Sequence, residues 1–172
     1  MKKGFAPIFI AGYISVIIVA VIIVGWYWQE NRKTPPQPIN FSHQIHVQKV
    51  GLACTHCHTT VEKSSSAGIP SVQTCMTCHR AVATDKPEIK KLTRYWEEKQ
   101  PVPWQRVYKI PARKYVYFSH KRHVKAGLEC VNCHGNVQLQ AVIEQVPKLE
   151  MGWCMACHRS KNAPIDCATC HK

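Results

Sequence analysis

Five copies of one short motif, Cys-x-x-Cys-His, constrain this chain more than any other feature of its sequence. All ten cysteines of the chain belong to these copies, so none is left for another role. The spacing is the attachment signature of c-type haem, whose two vinyl groups form thioethers with the cysteines while the adjacent histidine binds the iron. We therefore predict that the chain carries five covalently attached haem c groups.

The motifs assign two sets of residues to the haems. The predicted thioether residues are Cys54, Cys57, Cys75, Cys78, Cys130, Cys133, Cys154, Cys157, Cys167 and Cys170. The predicted proximal iron ligands are His58, His79, His134, His158 and His171. Zinc ribbons would combine such cysteine pairs two at a time into four-ligand sites, which an odd number of pairs does not allow. A thioredoxin-like redox site would need only a single motif.

Two pairs of histidines outside the motifs are predicted to fill distal coordination positions. His43 and His46 are three residues apart, as are His120 and His123. Residues at this spacing share one face of a helix, so each pair can serve two neighbouring haems. The same pairing recurs in both halves of the chain, which favours ligands over surface histidines. We predict all four as distal iron ligands.

The distal ligand of the fifth haem is left open between two residues. Met151 is favoured, because methionine is a known axial ligand of haem and raises its potential. His56 is the alternative: it lies inside the first motif, where it cannot reach its own iron but could serve a neighbouring one. With Met151 as the ligand, a low-potential series would end in one higher-potential exit site.

An apolar run near the start of the chain predicts a membrane anchor. Residues 8–27 carry no charge, and a helix of this length can span the hydrocarbon core of a membrane. A cleaved signal peptide would have a shorter apolar region and a small-residue cleavage site, which residues 25–28 do not supply. Aromatic residues typical of a membrane interface close the run, namely Trp26, Tyr27 and Trp28.

The charges before this run predict its orientation. Lys2 and Lys3 precede it, and positively charged flanks stay on the cytoplasmic side. We therefore predict a cytoplasmic N-terminus at residues 1–7, a transmembrane helix at residues 8–28 and a haem domain on the periplasmic side. The predicted location is the bacterial cytoplasmic membrane, which the chain would cross once.

The remainder of the chain is organised by an internal duplication. Residues 29–40 contain three prolines and are predicted to form a stiff spacer. The pattern Phe-Ser-His-x-x-His-Val, followed by Gly-Leu-x-Cys, then begins at Phe41 and again at Phe118, with one residue fewer in the second copy. We predict a first two-haem unit with a connecting segment at residues 41–117, and a second two-haem unit with the fifth haem at residues 118–172.

Little regular structure is expected after the spacer, because long apolar periods are few. Residues 87–99 are predicted to be helical, since Ile89, Leu92 and Trp96 follow helical spacing. Residues 101–117 are interrupted by prolines and are predicted to be partly strand-like, since Val116 and Phe118 alternate weakly with their neighbours. The predicted fold class is a multihaem cytochrome c, with a few short helices and long loops wrapped round five haems, plus one N-terminal transmembrane helix.

The formal net charge of +13 does not by itself indicate a nucleic-acid partner. Five haems carry ten propionates, so roughly ten negative charges can offset much of the excess. No nucleic-acid motif is present, and the aromatic residues do not alternate with a basic stripe. We expect a membrane-associated protein that does not bind nucleic acid.

With these features assembled, the chain resembles the pentahaem ActA subunits of bacterial alternative complex III. The resemblance rests on the anchor, the duplicated Phe-Ser-His units, the stretch from Pro103 to Tyr108, and Met151 to Cys154. The Phe-Ser-His-x-x-His unit is also shared with class III multihaem cytochromes. The resemblance implies an electron-carrying, non-catalytic subunit of a quinol-oxidising respiratory or photosynthetic complex. The implied partners are an iron–sulfur/molybdopterin-like subunit, quinol-binding membrane subunits, and a monohaem cytochrome or oxidase as acceptor.

Two other functions are compatible with haem attachment. A membrane quinol dehydrogenase of the NapC/NrfH type passes electrons to periplasmic reductases and places its first haem close to the bilayer. Here 26 positions and a proline-rich spacer separate Trp28 from Cys54, which disfavours direct contact with quinol. A terminal multihaem reductase needs an open axial position, whereas candidates exist here for every sixth ligand.

Overall fold

The structure, a computed structural model, describes residues 6–30, 34–111 and 113–171. Lys2 and Lys3, on which the predicted orientation depends, lie outside these ranges, as does most of the predicted cytoplasmic segment. The chain divides between Thr34 and Pro35 into two compact units. The described part of the first unit is essentially one helix, and all other elements belong to the second.

Helix α1, at Ala6–Glu30, accounts for the apolar run of the sequence. Its segment Phe9–Gln29 is long and apolar enough to cross a membrane. The side chains of residues 9–29 are all exposed. Such a surface needs an apolar environment. A signal sequence near the N-terminus has the same length and composition, so retention of the helix as an anchor stays a prediction.

The second unit consists of short helices joined by irregular segments. Its α-helices are α2 (Cys54–Cys57), α3 (Val72–His79), α4 (Pro87–Glu97), α5 (His120–Lys125), α6 (Cys130–His134), α7 (Met151–Ser160) and α8 (Cys167–Cys170). A π-helix at Gln44–Lys49 and 3₁₀ turns at Arg113–Tyr115 and Val137–Leu139 complete it. Residues 6–30, 34–111 and 113–171 contain no strand. The helix-and-loop fold class is therefore confirmed.

The prediction of partial strand character for residues 101–117 is wrong. The described part of this segment is irregular apart from the 3₁₀ turn at Arg113–Tyr115. Prolines at positions 101, 103 and 111 lack the N–H group that a strand would donate to a neighbour. The alternation of Val116 and Phe118 is too short to outweigh this loss.

Helix α4 packs its apolar face on a small core, as its helical spacing predicts. Pro87 occupies the first turn, where no intrahelical N–H bond is needed, and the helix ends shortly before Lys99, whose φ is 53°. Leu92 of this helix is buried with Ile39, Met76 and Val102. Glu88 at the start of α4 accepts a 2.7 Å hydrogen bond from the backbone N–H of Asn40, which ties the end of the spacer to the helix.

The two copies of the duplicated unit differ by one residue, and the first copy absorbs the extra residue as a π-helix. Its wider turn is seen in the bond from the N–H of Val50 to the carbonyl of Ile45, five residues earlier. The second copy forms the ordinary α-helix α5. Both helices are followed by a glycine in the left-handed region, Gly51 at φ 81° and Gly127 at φ 78°. The extra residue therefore leaves the ends of the unit equivalent.

The protein part of the second unit has a very small apolar core. Among the described residues, the buried apolar side chains are Ile39, Val61, Met76, Leu92 and Val102. A unit that runs from Pro35 to Lys172 would ordinarily bury many more. The remaining apolar surface needs a further partner, and large planar cofactors held by many residues meet that need.

Candidate haem-binding site

Short helices present the cysteines of every motif. Helices α2, α6 and α8 each begin at the first cysteine of a motif, whereas in α3 and α7 the motif fills the C-terminal part. All ten cysteines are described, and all are free thiols that are exposed or half-buried. Two thiols three residues apart on one helix face lie side by side, as bonding to one porphyrin edge requires.

The histidine side chains are held in the tautomer that a metal needs. Seven of them place Nδ1 within hydrogen-bonding distance of a backbone carbonyl, so Nδ1 must carry the proton and Nε2 keeps its lone pair. None of the histidine hydrogen bonds among the described residues runs through Nε2. The Nδ1–carbonyl pairs are His46–Ser42 (2.9 Å), His58–Gly68 (2.7 Å), His79–Val82 (3.0 Å), His120–Ser65 (2.9 Å), His123–Ser119 (2.8 Å), His158–Pro164 (2.6 Å) and His171–Tyr115 (2.9 Å).

Three pairs of imidazole rings face each other at almost the same separation. The ring centroids of His46 and His79 are 6.0 Å apart. Those of His120 and His134 are 6.2 Å apart, and those of His123 and His158 are 6.1 Å apart. Each pair joins one predicted distal ligand to one predicted proximal ligand.

This separation matches the space that one metal atom needs between two imidazoles. A metal–nitrogen bond is about 2.0 Å long and the ring centroid lies roughly 1.1 Å behind the nitrogen, so two opposed rings have centroids about 6.2 Å apart. Rings in direct stacking contact would be closer. The donor set of opposed imidazoles beside paired thiols therefore fits haem c, and it differs from the four converging ligands of a zinc site.

Two further members of the predicted ligand set, His43 and His58, also lie near each other. Burial is the largest of the causes that lower the pKa of His43 to about 4, and the nearby charges of His58 and His46 contribute to the same shift. Burial likewise lowers the pKa of His134, with contributions from His120 and His58. His43 and His134 are thus neutral at neutral pH, which is the form that binds metal.

Two phenylalanines missed as functional residues orient the histidine pairs. Phe41 contacts His43 edge-on at 4.9 Å and stacks on His46 at 4.4 Å. Phe118 contacts His120 edge-on at 4.8 Å and lies against His123 at 4.6 Å. The signal was present in the sequence, because the phenylalanine precedes each histidine pair in both copies of the repeat. Its position against both histidine rings of a pair is visible only in the three-dimensional structure.

Tyr108 ends one of the stretches on which the resemblance rests, but the sequence did not predict it as a site residue. Its hydroxyl donates a 2.8 Å hydrogen bond to the backbone carbonyl of His134, and its ring lies 4.4 Å from the imidazole. The two residues are 26 positions apart. Such a non-local contact leaves no periodic trace in the sequence.

The fifth motif lacks a facing imidazole among the described residues. His171 is anchored through Nδ1 on Tyr115, and the carbonyl of Cys170 accepts a 2.6 Å hydrogen bond from the N–H of Tyr117. Met151 is 66% exposed at the start of α7, and His56 is exposed within α2. No contact among the described residues brings either one against His171, so the choice between them stays a prediction.

Electrostatic interactions between cysteines of different motifs show which motifs are neighbours in space. Besides burial, the charge of Cys57 raises the pKa of Cys75, and that of Cys54 raises the pKa of Cys130. In the same way, the charge of Cys157 raises the pKa of Cys133, and the charge of Cys170 raises the pKa of Cys154. The second motif thus neighbours the first, the first neighbours the third, the third neighbours the fourth, and the fourth neighbours the fifth.

Backbone hydrogen bonds cross between the two copies at the centre of this succession. The N–H of Lys121 donates to the carbonyl of Ser64 at 3.0 Å, and the N–H of Gln44 donates to the carbonyl of Gln140, also at 3.0 Å. Lys121 and Gln44 occupy equivalent positions in the repeat. Each copy therefore rests on the loop that follows the other copy's first motif.

Comparison with known proteins links both halves of the chain to cytochromes c. Residues 27–106 match the class III cytochrome C family, and residues 116–172 match cytochrome c7 and related cytochrome c. The chain is also 35% identical over 133 residues to a Nitratidesulfovibrio vulgaris (strain Hildenborough) protein described as "Menaquinone reductase, multiheme cytochrome c subunit". The aligned region covers 76% of this chain and 59% of the relative, so the chain spans about three fifths of the relative's length.

Proposed function

Because this chain is a multihaem c-type cytochrome, we propose that it relays electrons through five haem c groups as a subunit of a quinone-linked membrane complex of the alternative complex III type. The observation that carries the proposal is the set of three imidazole pairs spaced at 6.0 to 6.2 Å. When bound, haem iron accepts and gives up one electron at a time. At these three sites, imidazoles on both sides of the iron would leave no position for a substrate, which favours relay over catalysis.

The proposed axial assignments follow the ring pairs. His79 and His46 would hold one haem, His134 and His120 a second, and His158 and His123 a third. The proximity of His43 and His58 supports them as the fourth pair. The fifth haem, attached at Cys167 and Cys170, uses His171 and either Met151 or His56. Backbone carbonyls that accept from Nδ1 would hold seven of these rings in position, all except His43 and His134.

The proposed electron path follows the succession of motifs, from the second through the first, third and fourth to the fifth. The contact of Cys54 with Cys130 and the crossed backbone bonds between the copies support a close central step. The segment 115–117 supports the last motif through its bonds to His171 and Cys170. The path has two ends, one at the second motif and one at the fifth, where partner proteins can deliver and collect electrons.

Helix α1 is proposed to anchor the chain in the cytoplasmic membrane, with the haem domain on the periplasmic side. The exposed apolar surface of Phe9–Gln29 supports this arrangement. The proposed partners are an iron–sulfur/molybdopterin-like subunit, quinol-binding membrane subunits and a monohaem cytochrome or oxidase. The relative's description as part of a menaquinone reductase supports the link to quinones. The relative is described as a reductase of menaquinone, whereas we propose quinol oxidation, the direction that the resemblance to alternative complex III implies.

The test compares the native membrane complex with the isolated full-length chain. Each is mixed rapidly with a reduced quinone analogue, and reduction is followed by the visible absorbance of haem c. We expect fast reduction in the complex and only slow reduction of the isolated chain, because the relay receives electrons from another subunit. Equally fast reduction of the isolated chain would favour a NapC/NrfH-type quinol dehydrogenase. A high-spin haem signal that changes when nitrite is added would favour a terminal reductase.

A further inference from the structure

The duplicated unit places four distal histidines in nearly equivalent positions, but one of them lacks a hydrogen bond. His46, His120 and His123 each donate from Nδ1 to a backbone carbonyl. The Nδ1 atom of His43 is buried and has no hydrogen-bond partner among the described residues. His43 is therefore the exception in an otherwise repeated design.

The aromatic contact of His43 does not replace the missing acceptor. Phe41 meets His43 at 4.9 Å and 87°, and Phe118 meets His120 at 4.8 Å and 86°. The two contacts are the same, yet His120 has the carbonyl of Ser65 in addition. The difference arises from the loop opposite each copy. The carbonyl of Ser65 accepts bonds from both the backbone N–H and the Nδ1 of His120. In the corresponding loop of the second copy, the carbonyl of Gln140 accepts a bond from the backbone N–H of Gln44, and no described carbonyl there accepts from His43 Nδ1.

An acceptor on Nδ1 changes how strongly the imidazole donates electrons to a metal. A carbonyl that accepts the Nδ1 proton raises the basicity of Nε2. It also stabilises the positive charge that oxidised iron induces on the ring. A buried Nδ1 without a partner gives neither effect, and water cannot reach it to compensate. Hydrogen bonding around the ligands is one of the levers that set haem potential.

The second and fourth motifs provide the reference within the same chain. Their ligand pairs are His46 with His79 and His123 with His158, and all four rings are anchored on carbonyls. In the first motif only His58 is anchored, on the carbonyl of Gly68. The comparison excludes the third motif, because its proximal ligand His134 has no carbonyl acceptor among the described residues.

We infer that His43 is a weak donor, and that the haem it shares with His58 therefore accepts an electron at a higher potential than the haems of the second and fourth motifs. This inference rests on the axial pairing proposed above. Since the first motif lies inside the succession and the second at its end, an electron entering at the second motif moves to a site of higher potential. The central part of the relay then holds electrons more firmly than that entry point.

The test uses the purified full-length holoprotein and two matched variants three residues apart, His43→Met and His46→Met. A methionine ligand raises the potential of the haem it joins, so each variant identifies one component of the redox titration followed by electron paramagnetic resonance. We expect the component shifted by H43M to titrate, in the unmodified protein, at a higher potential than the component shifted by H46M. An equal or lower potential overturns the inference while leaving the relay intact.

The remaining outcomes are also decisive. If H43M shifts the potential of no haem, both the ligand assignment of His43 and the inference are wrong. The electron relay is tested independently, by the number of attached haems and by the quinol experiment. If H43M does not mature, NMR of the reduced, histidine-labelled protein replaces it. We then expect the Nδ1 proton of His43 to resonate upfield of that of His46. A His43 proton as far downfield as that of His46 would show a hydrogen bond and overturn the inference.

Discussion

Single histidines decide most of the proposed chemistry. The sequence predicted which histidines are ligands, but it did not predict which of them face each other. The motif names the proximal histidines, and the recurring spacing points to His43, His46, His120 and His123. The pairing depends on contacts such as that between His120 and Ser65, which are 55 positions apart. Local periodicity carries no information about such contacts. The same limit explains why Tyr108 was missed.

Replacement of Met151 by histidine tests the fifth ligand at this scale. Imidazole gives a lower haem potential than thioether sulfur. If Met151 binds the fifth iron, M151H lowers the potential of one haem and leaves the other four unchanged in a spectroscopic redox titration. The matched variant His56→Ala is expected to leave all potentials unchanged. Unaltered potentials in M151H, with a shift in H56A, would assign the position to His56.

At the scale of elements, the two copies of the repeated unit have similar geometry although one contains a π-helix and the other an α-helix. The one-residue difference between the copies was visible in the sequence, but its structural form was not. Gln44–Lys49 forms a π-helix, whose wider turn holds the extra residue between the histidine pair and the following glycine. The weak alternation near Val116 failed as a strand signal because no neighbouring strand exists among the described residues.

Deletion of one exposed residue tests the interpretation of the π-helix. Removing Gln48 gives the first copy the length of the second, so we expect an ordinary α-helical turn and an unchanged number of attached haems. Removing Lys125 from the second copy is the matched control. Helix α5 has no extra residue to lose, so that deletion is expected to reduce haem attachment, as measured by intact mass. Equal losses in both variants would contradict the interpretation.

The glycine that follows α5 offers a second test of the same element. Gly127 has φ of 78°, and a Cβ atom built there meets no atom within 4 Å. Gly127→Ala therefore acts through the backbone alone, and we expect it to lower the free energy of unfolding by about 1 to 2 kcal/mol. Chemical denaturation of the holoprotein measures this loss. Gly12→Ala in α1, which has no positive φ, is the control and should cost far less.

At the scale of the whole molecule, the fold is organised around groups that the polypeptide alone does not contain. Among the described residues, protein buries only five apolar side chains of the second unit, which are Ile39, Val61, Met76, Leu92 and Val102. The sequence predicted this dependence on haem from its composition and motifs. It could not predict the succession of motifs, because the order along the chain differs from the order in space. The first motif lies between the second and the third.

Intact-mass measurement of the mature protein under denaturing conditions tests the central claim most directly, because only covalently attached groups remain bound. We predict a mass that exceeds the polypeptide mass by five haems, and a loss of one haem when Cys54 and Cys57 are both replaced by alanine. A mature protein with fewer than five attached haems, or with none lost in the double variant, would contradict the account.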